Sequence, residues 1–394
     1  MKKILTSILS LGFAASAALA ANSAVTAVKV DNVSDAAAWS KAKFSSVTLY
    51  PQTAIEMNDK KANEINENVK GKKAEVGALY DGTNIALMVK WADGTKDTQA
   101  GYTSTTYGDG FAIQFAGASK SAELPYIGMG STGRPVVVHL QKANEKVYEP
   151  NGNKDVSTQI NRQQTGVFGQ ELADYDAKVA SLANKDYERT FVAEGFRSLT
   201  EVKDGSVKSN ASMTYGSNGW SGTLIRPLKD AYVNLNGTVP VAIAVWDGTK
   251  LGRNGLKNLS SWIAVNLDGQ KPNAALVNDL TVGSKGNAAK GKEAMAANGC
   301  AGCHQVEATD PKSVMAPSLK NVGGYSTVAY LRESILKPSA VIVPGYNRNA
   351  HSNTPWYNIE KGKRVSTMTD YSFLDKKSVD DIVAYLETLK AEVE

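Results

Sequence analysis

Two different spacings of apolar residues divide this chain. From Val25 to about Asp268, short apolar runs rich in β-branched and aromatic residues recur, among them Ser46-Val47-Thr48-Leu49-Tyr50, Ile85 to Trp91, Val136-Val137-Val138 and Val239 to Trp246. Turn formers separate them: Asp81-Gly82, Asp93-Gly94, Asn151-Gly152-Asn153 and Asp247-Gly248. Many short strands broken by Gly and Asp predict an antiparallel sandwich rather than an α/β fold. Residues 144–200 are more polar and less periodic, which predicts long loops with a helical piece around Glu171–Leu182.

From Asn287 the period changes to that of a helix. Asn287 to Asn298 is rich in Ala and Lys and predicts a helix. Near the end, Val379, Ile382, Val383, Tyr385, Leu386 and Leu389 recur at helical spacing, with Ser378 expected as the N-cap. The stretch 269–286 reads as a linker. The domains expected are therefore 21–268 and 287–394, with no internal repeat or low-complexity tract.

Residues 1–20 have the form of a cleaved secretory signal. Lys2 and Lys3 precede a mostly apolar stretch from Ile4 to Ala17, and Ala18-Leu19-Ala20 offers small residues for cleavage. The apolar stretch is short and broken for a membrane span, and no later segment reaches about 20 uninterrupted apolar residues. The expectation is a periplasmic protein without stable membrane insertion. The formal charge is +5, and without the two leader lysines +3, with acidic and basic residues interspersed. No basic tract points to nucleic acid.

Both cysteines fall in one run, Cys300-Ala301-Gly302-Cys303-His304. A C-x-x-C-H run reads as a c-type haem attachment site, with two thioethers to the vinyl groups and the His on iron. C-x-x-C also occurs in redox dithiols and small disulfide loops. The adjoining His, the exported setting and the lack of a βαβ pattern favour haem. A second iron ligand is to be sought in Met368, Met295, Met315 or His351. Met295 stands too near the motif in sequence to reach the opposite haem face.

The last hundred residues resemble the small class I cytochromes c. The resemblance rests on the helix before Cys300, on Ala316-Pro317-Ser318-Leu319 with Gly323-Gly324, and on a Met loop before the final helix Asp381-Ile382-Val383-Ala384-Tyr385-Leu386. It implies that Met368 is the distal ligand, although Thr369 stands where many relatives have Pro. The fold class expected is thus multidomain: a mainly-β antiparallel sandwich followed by an all-α class I cytochrome c domain.

The first half carries an ordered set of short stretches. They are Val47 to Gln52, Ala78 to Thr83 with Trp91-Ala92-Asp93, Asp109 to Phe115, Gly128-Met129-Gly130 before Arg134-Pro135, Ala193 to Thr200, Arg226-Pro227-Leu228, Ala244 to Gly248 and Arg253 to Trp262. Together they resemble the haem b-binding gamma subunit of ethylbenzene dehydrogenase, and its relatives in dimethylsulfide dehydrogenase and the selenate and chlorate reductases. The resemblance implies a non-covalent haem b held by Met129 and Lys257. A lysine can bind iron only as the free amine, so Lys257 must be desolvated. Leu256 and Trp262 could supply apolar surroundings. Taken alone, a Met between glycines is more often core filler, and a Lys in a turn is usually solvated. After Pro135 the chain reads Val-Val-Val-His-Leu-Gln where relatives tend to have tryptophans, so the pocket wall differs and His139 becomes a fallback ligand.

The resemblances imply a dihaem electron-transfer protein that is not itself an enzyme. It would relay electrons to or from a molybdenum and iron–sulfur oxidoreductase through that partner's alpha and beta subunits. Tethering a second carrier behind the first would raise its effective concentration to ~mM for a short flexible linker. The alternative is a monohaem cytochrome c fused to a non-haem ligand- or carbohydrate-binding sandwich. A dihaem peroxidase is disfavoured because a second C-x-x-C-H is absent, and nothing resembles a molybdopterin, flavin or nucleotide site.

Overall fold

A computed structural model describes residues 24–57, 59–98, 106–143, 187–195, 198–313, 315–343 and 356–394. The expected signal sequence at 1–20, the helix expected at Glu171–Leu182, the Asn151-Gly152-Asn153 stretch and His351 lie outside these residues.

The first half is a large, mainly antiparallel sheet. Its strands are β1 (Val25–Lys29), β2 (Ser45–Pro51), β3 (Lys72–Tyr80), β4 (Asn84–Ala92), β5 (Gly110–Ala116), β6 (Val136–Lys142), β7 (Tyr187–Ala193), β8 (Thr200–Glu201), β9 (Asn210–Gly216), β10 (Gly219–Pro227), β11 (Thr238–Trp246), β12 (Asn258–Leu259) and β13 (Ile263–Leu267). The hydrogen-bonded order is β8-β7-β6-β5-β11-β12-β2-β3-β4-β10-β9. β1 departs from the antiparallel expectation, running parallel to both β13 and β3. β12 with β2, and β13 with β1, both bridge β11 to β3, and the β5–β6–β11 half packs over the β3–β4–β10 half. Phe111 of β5 meets Trp91 of β4 with ring centroids 6.0 Å apart. A Cβ on Gly222 of β10 would lie 2.6 Å from the Phe111 ring, so only Gly lets the layers approach this closely.

Alternation sorts the side chains of β5 and β11 between two cores. Phe111, Ile113, Phe115, Val241, Ile243 and Val245 fill the space between the layers. Ala112, Ala242, Ala244 and Trp246 face the other way, into a second core shared with the C-terminal helices. Helix α1 (Lys60–Asn68) packs its buried Ala62 with Leu251 and Leu256.

The segment expected as a linker contains a helix, α2 (Ala274–Thr281), N-capped by Asn273 and packed on β13. The C-terminal unit follows with α3 (Ala288–Ala297), the one-turn α4 (Val322–Tyr325), α5 (Val328–Leu336) and α6 (Lys376–Leu386). The all-α expectation needs correction: β14 (Tyr357–Glu360) and β15 (Lys363–Ser366) form a hairpin closed by Lys361-Gly362, both with positive φ. The N-cap of α6 is Asp375, not Ser378, and its carboxylate accepts from the Ser378 amide at 3.0 Å. The exposed Lys376 and Lys377 fill the first turn, so the apolar period begins later than the helix.

Candidate functional site

The C-x-x-C-H run folds as a tight turn after α3. Gly299 takes a left-handed φ of 68°, and the Cys303 and His304 amides donate to the Cys300 carbonyl at 3.2 and 3.0 Å. One turn thereby sets two unpaired thiols beside the imidazole. Burial pushes the Cys300 thiol up from its ordinary value and His304 down, so both are neutral near pH 7. His304 Nδ1 lies 2.7 Å from the Pro317 carbonyl. That contact fixes Nδ1–H as donor and leaves Nε2 free to bind a metal. Pro317 belongs to the Ala-Pro-Ser-Leu stretch, which explains its place after the motif.

These groups open into a cavity of about 460 Å³ lined by Cys300, Cys303, His304 and Met368. Met368 leaves β15 with its amide donating to Ser366 Oγ at 3.1 Å, and Thr367 is tied to the Trp356 carbonyl at 3.0 Å. The hairpin missed by the sequence reading is therefore what carries the Met368 loop. Met295 and Met315 also reach the wall: Met295 is buried on α3, and Met315 is exposed at the rim. The remaining lining is largely apolar, with Ile335, Leu386 and Trp356 among it. Two thiols, a neutral imidazole with one free nitrogen and thioethers around an apolar cavity fit a covalently held haem.

Two wall residues come from the β half: Ala54 and Tyr126. Tyr126 is buried and stacks on Tyr330 of α5 with centroids 4.9 Å apart. Nothing in the apolar spacing of the chain signals this role.

Met129 lies three residues beyond Tyr126 in the same turn, which the Gly130 amide closes onto the Tyr126 carbonyl at 2.8 Å. Its φ is 80°, a costly conformation for a residue with a side chain. Met129 packs half-buried on the second core, the one holding Ala112, Ala242, Ala244 and Trp246. Lys257 stands at the other end of that surface, its Nζ 5.7 Å from the Trp246 ring centroid and 3.3 Å from the Asn254 carbonyl. Burial lowers its pKa to about 8. Lys142, passed over in the sequence, sits over the same ring at 4.9 Å and is likewise lowered to about 8. The Gln52 side chain beside Lys257 is fully buried, with both amide atoms unpartnered among the described residues, and the Gln52 backbone amide donates to the Lys257 carbonyl at 3.0 Å. A thioether, an amine that loses its proton readily, a floor of small side chains and an orphaned amide are compatible with a flat ligand. Met129 and Lys257 share this surface, but the lysine amine is turned back onto its own loop.

His139 faces the opposite core. Its Nδ1 pairs with Thr190 Oγ1 at 3.1 Å and its Nε2 with Arg226 Nη1 at 3.0 Å, so neither nitrogen is available to a metal. The fallback ligand is therefore excluded.

Residues 36–258 match the family model described as ethylbenzene dehydrogenase, more than half of the chain. The chain belongs to the ethylbenzene dehydrogenase family. Behind that domain, residues 288–390 match the model described as cytochrome c. Both matches agree with the two resemblances drawn from the sequence, and they point this ethylbenzene dehydrogenase family member towards haem-based electron transfer. No curated protein matches the chain. Among solved structures, similarity extends to a family 9 carbohydrate-binding module from Caldicellulosiruptor kristjanssonii in complex with cellotriose, at 8% identity and TM-score 0.30, covering 64% of this chain and 96% of that one. A putative carbohydrate-binding protein from Bacteroides uniformis is similar at 8% identity and TM-score 0.29, covering 63% and 100%.

Proposed function

We propose that this protein is a periplasmic dihaem electron carrier that exchanges electrons with a molybdenum and iron–sulfur oxidoreductase and catalyses no reaction of its own. The observation that carries the reading is the single cavity lined by Cys300, Cys303, His304 and Met368, behind a domain of the ethylbenzene dehydrogenase family. Cys300 and Cys303 attach haem c, and His304 and Met368 hold its iron. Met129 and Lys257 hold haem b. Each haem supplies a one-electron couple when bound.

The chain's own residues do the rest. The Pro317 carbonyl orients the imidazole, and the hairpin of β14 and β15 presents the thioether. A His/Met pair raises the reduction potential relative to two nitrogen donors. At the second site, burial lowers Lys257 to about 8, so it gives up its proton to a metal more readily than an ordinary lysine, and Met129 stands in a left-handed turn. For Lys257 to bind iron, its amine must leave the Asn254 carbonyl.

A pyridine haemochrome spectrum of the mature protein is expected to show one c and one b haem per chain. Lys257→Ala should abolish the b signal and keep the c signal. A spectrum with c alone in the wild type would reject the dihaem reading, and retention of both in the variant would remove Lys257 as a ligand.

A further inference from the structure

Three carboxylates converge at the edge of the β domain, away from the haem c cavity. Asp93 follows β4, Asp109 precedes β5 and Asp247 follows β11. One oxygen from each lies within 4.8 Å of the others. We propose that Asp93, Asp109 and Asp247 bind one calcium ion.

The state of Asp93 carries the argument. The residue is 6% exposed, and its Oδ1 accepts from the Thr95 amide and hydroxyl at 3.2 and 3.3 Å. Its Oδ2 is buried with no hydrogen-bond partner among the described residues. A buried carboxylate oxygen left without a protein donor is costly, and a bound cation is one remedy. Against these three carboxylates the neighbours set two cations, Lys72 and Lys142, the latter within electrostatic reach of Asp109. Lys72 Nζ stands 4.0 Å from Asp247 Oδ2, whereas Asp97, whose own amide donates to Asp109 Oδ2 at 2.8 Å, adds another negative charge.

Asp109 is held rigidly for such a role. Its oxygens accept from the Gly248 amide at 2.8 Å, the Asp97 amide at 2.8 Å and Trp220 Nε1 at 3.0 Å. A carboxylate offers about four lone-pair directions, so a ligand position remains. The donor set is oxygen throughout, which suits a hard cation rather than zinc or copper. Two ligands about 2.4 Å from a calcium ion stand at most about 4.8 Å apart, so oxygens within that distance of one another can share one ion. Water would complete the shell.

Asp93 and Asp109 stand at the two ends of the β4–β5 connection and Asp247 opens the one after β11, so the ion would staple these two connections together. One is the loop from Asp247 to Lys257, whose root is tied by the Gly252 amide to the Asp247 carbonyl at 2.9 Å. Calcium would therefore order the segment that presents Lys257.

The test uses the full-length protein with its haem, stripped with a chelator and dialysed. Calorimetric titration with calcium chloride is expected to show one ion per chain, and saturating calcium to raise Tm by about 5 °C. Asp93→Asn and Asp247→Asn should each lose the heat and the Tm rise, with far-ultraviolet circular dichroism and the c-type haem band unchanged. Absence of heat and of any Tm change in the wild type at millimolar calcium overturns the proposal without reference to any variant. Undiminished binding in a folded Asp93→Asn protein overturns it as well.

Discussion

At the scale of single residues, His139 shows how burial turns a titratable group into a pH-dependent part of the core. The structure buries it between Phe115 and Arg226, itself paired with Asp230. The guanidinium can only donate, so Nε2 accepts from it and Nδ1–H donates to Thr190. Burial first, and the Arg226 charge second, hold the imidazole well below its ordinary 6.5. The unfolded chain therefore binds a proton below about pH 6.5 that the folded chain refuses. His139 contributes its full stability above that pH and loses it as the pH falls. Thermal melts between pH 7.5 and 5 should show wild-type stability declining by up to about 1.4 kcal/mol per pH unit from this group. His139→Gln should flatten that limb whatever its stability at pH 7.5. Parallel pH dependences in the two proteins would count against the assignment.

At the scale of elements, the crossing of α3 and α6 rests on a position that propensity disfavours. Gly291 sits inside α3, where Gly costs about 1 kcal/mol relative to Ala. A Cβ there would lie 1.9 Å from the Asp381 carbonyl and 2.9 Å from Tyr385 Cβ. The gain in propensity from Gly291→Ala is thus outweighed by overpacking, and the variant should lose about 1–3 kcal/mol. Denaturant unfolding followed by circular dichroism measures it, and a stabilised variant would show that the helices part without cost. The elements themselves were largely legible. β4, β6 and β11 fall on the apolar runs read at Ile85, Val136 and Val239, and Asn287, where the sequence places the start of α3, is its N-cap. The hairpin of β14 and β15 was not legible, because Tyr357–Glu360 and Lys363–Ser366 bury little and so carry no apolar alternation. The Asp93, Asp109 and Asp247 cluster was hidden for another reason. Each aspartate reads as an ordinary turn residue, and only tertiary folding brings the three turns together.

At the scale of the whole molecule, the two domains share a core instead of hanging on a flexible tether. Arg134 and Glu333 form a two-pronged ion pair at 2.9 Å across the boundary, and both are largely buried. The Gly71 and Glu392 backbones pair at 2.7 Å, and Lys320 reaches the Glu67 carbonyl at 2.7 Å. The β domain therefore acts on haem c as a wall, through Tyr126, rather than as a nearby partner at raised concentration. A haem shielded from water favours its less charged, reduced state, so burial raises the reduction potential. Removing the wall admits water on the Tyr330 side of the cavity. Tyr126→Ala is expected to lower the haem c potential and Tyr126→Phe, which keeps the stacked ring, to leave it near the wild-type value. Potentiometric titration followed at the c-type band reads both, with the pyridine haemochrome confirming that haem c is still attached. An unchanged potential in Tyr126→Ala would mean that the cytochrome domain encloses its haem alone, and that docking serves only to hold the two domains in place.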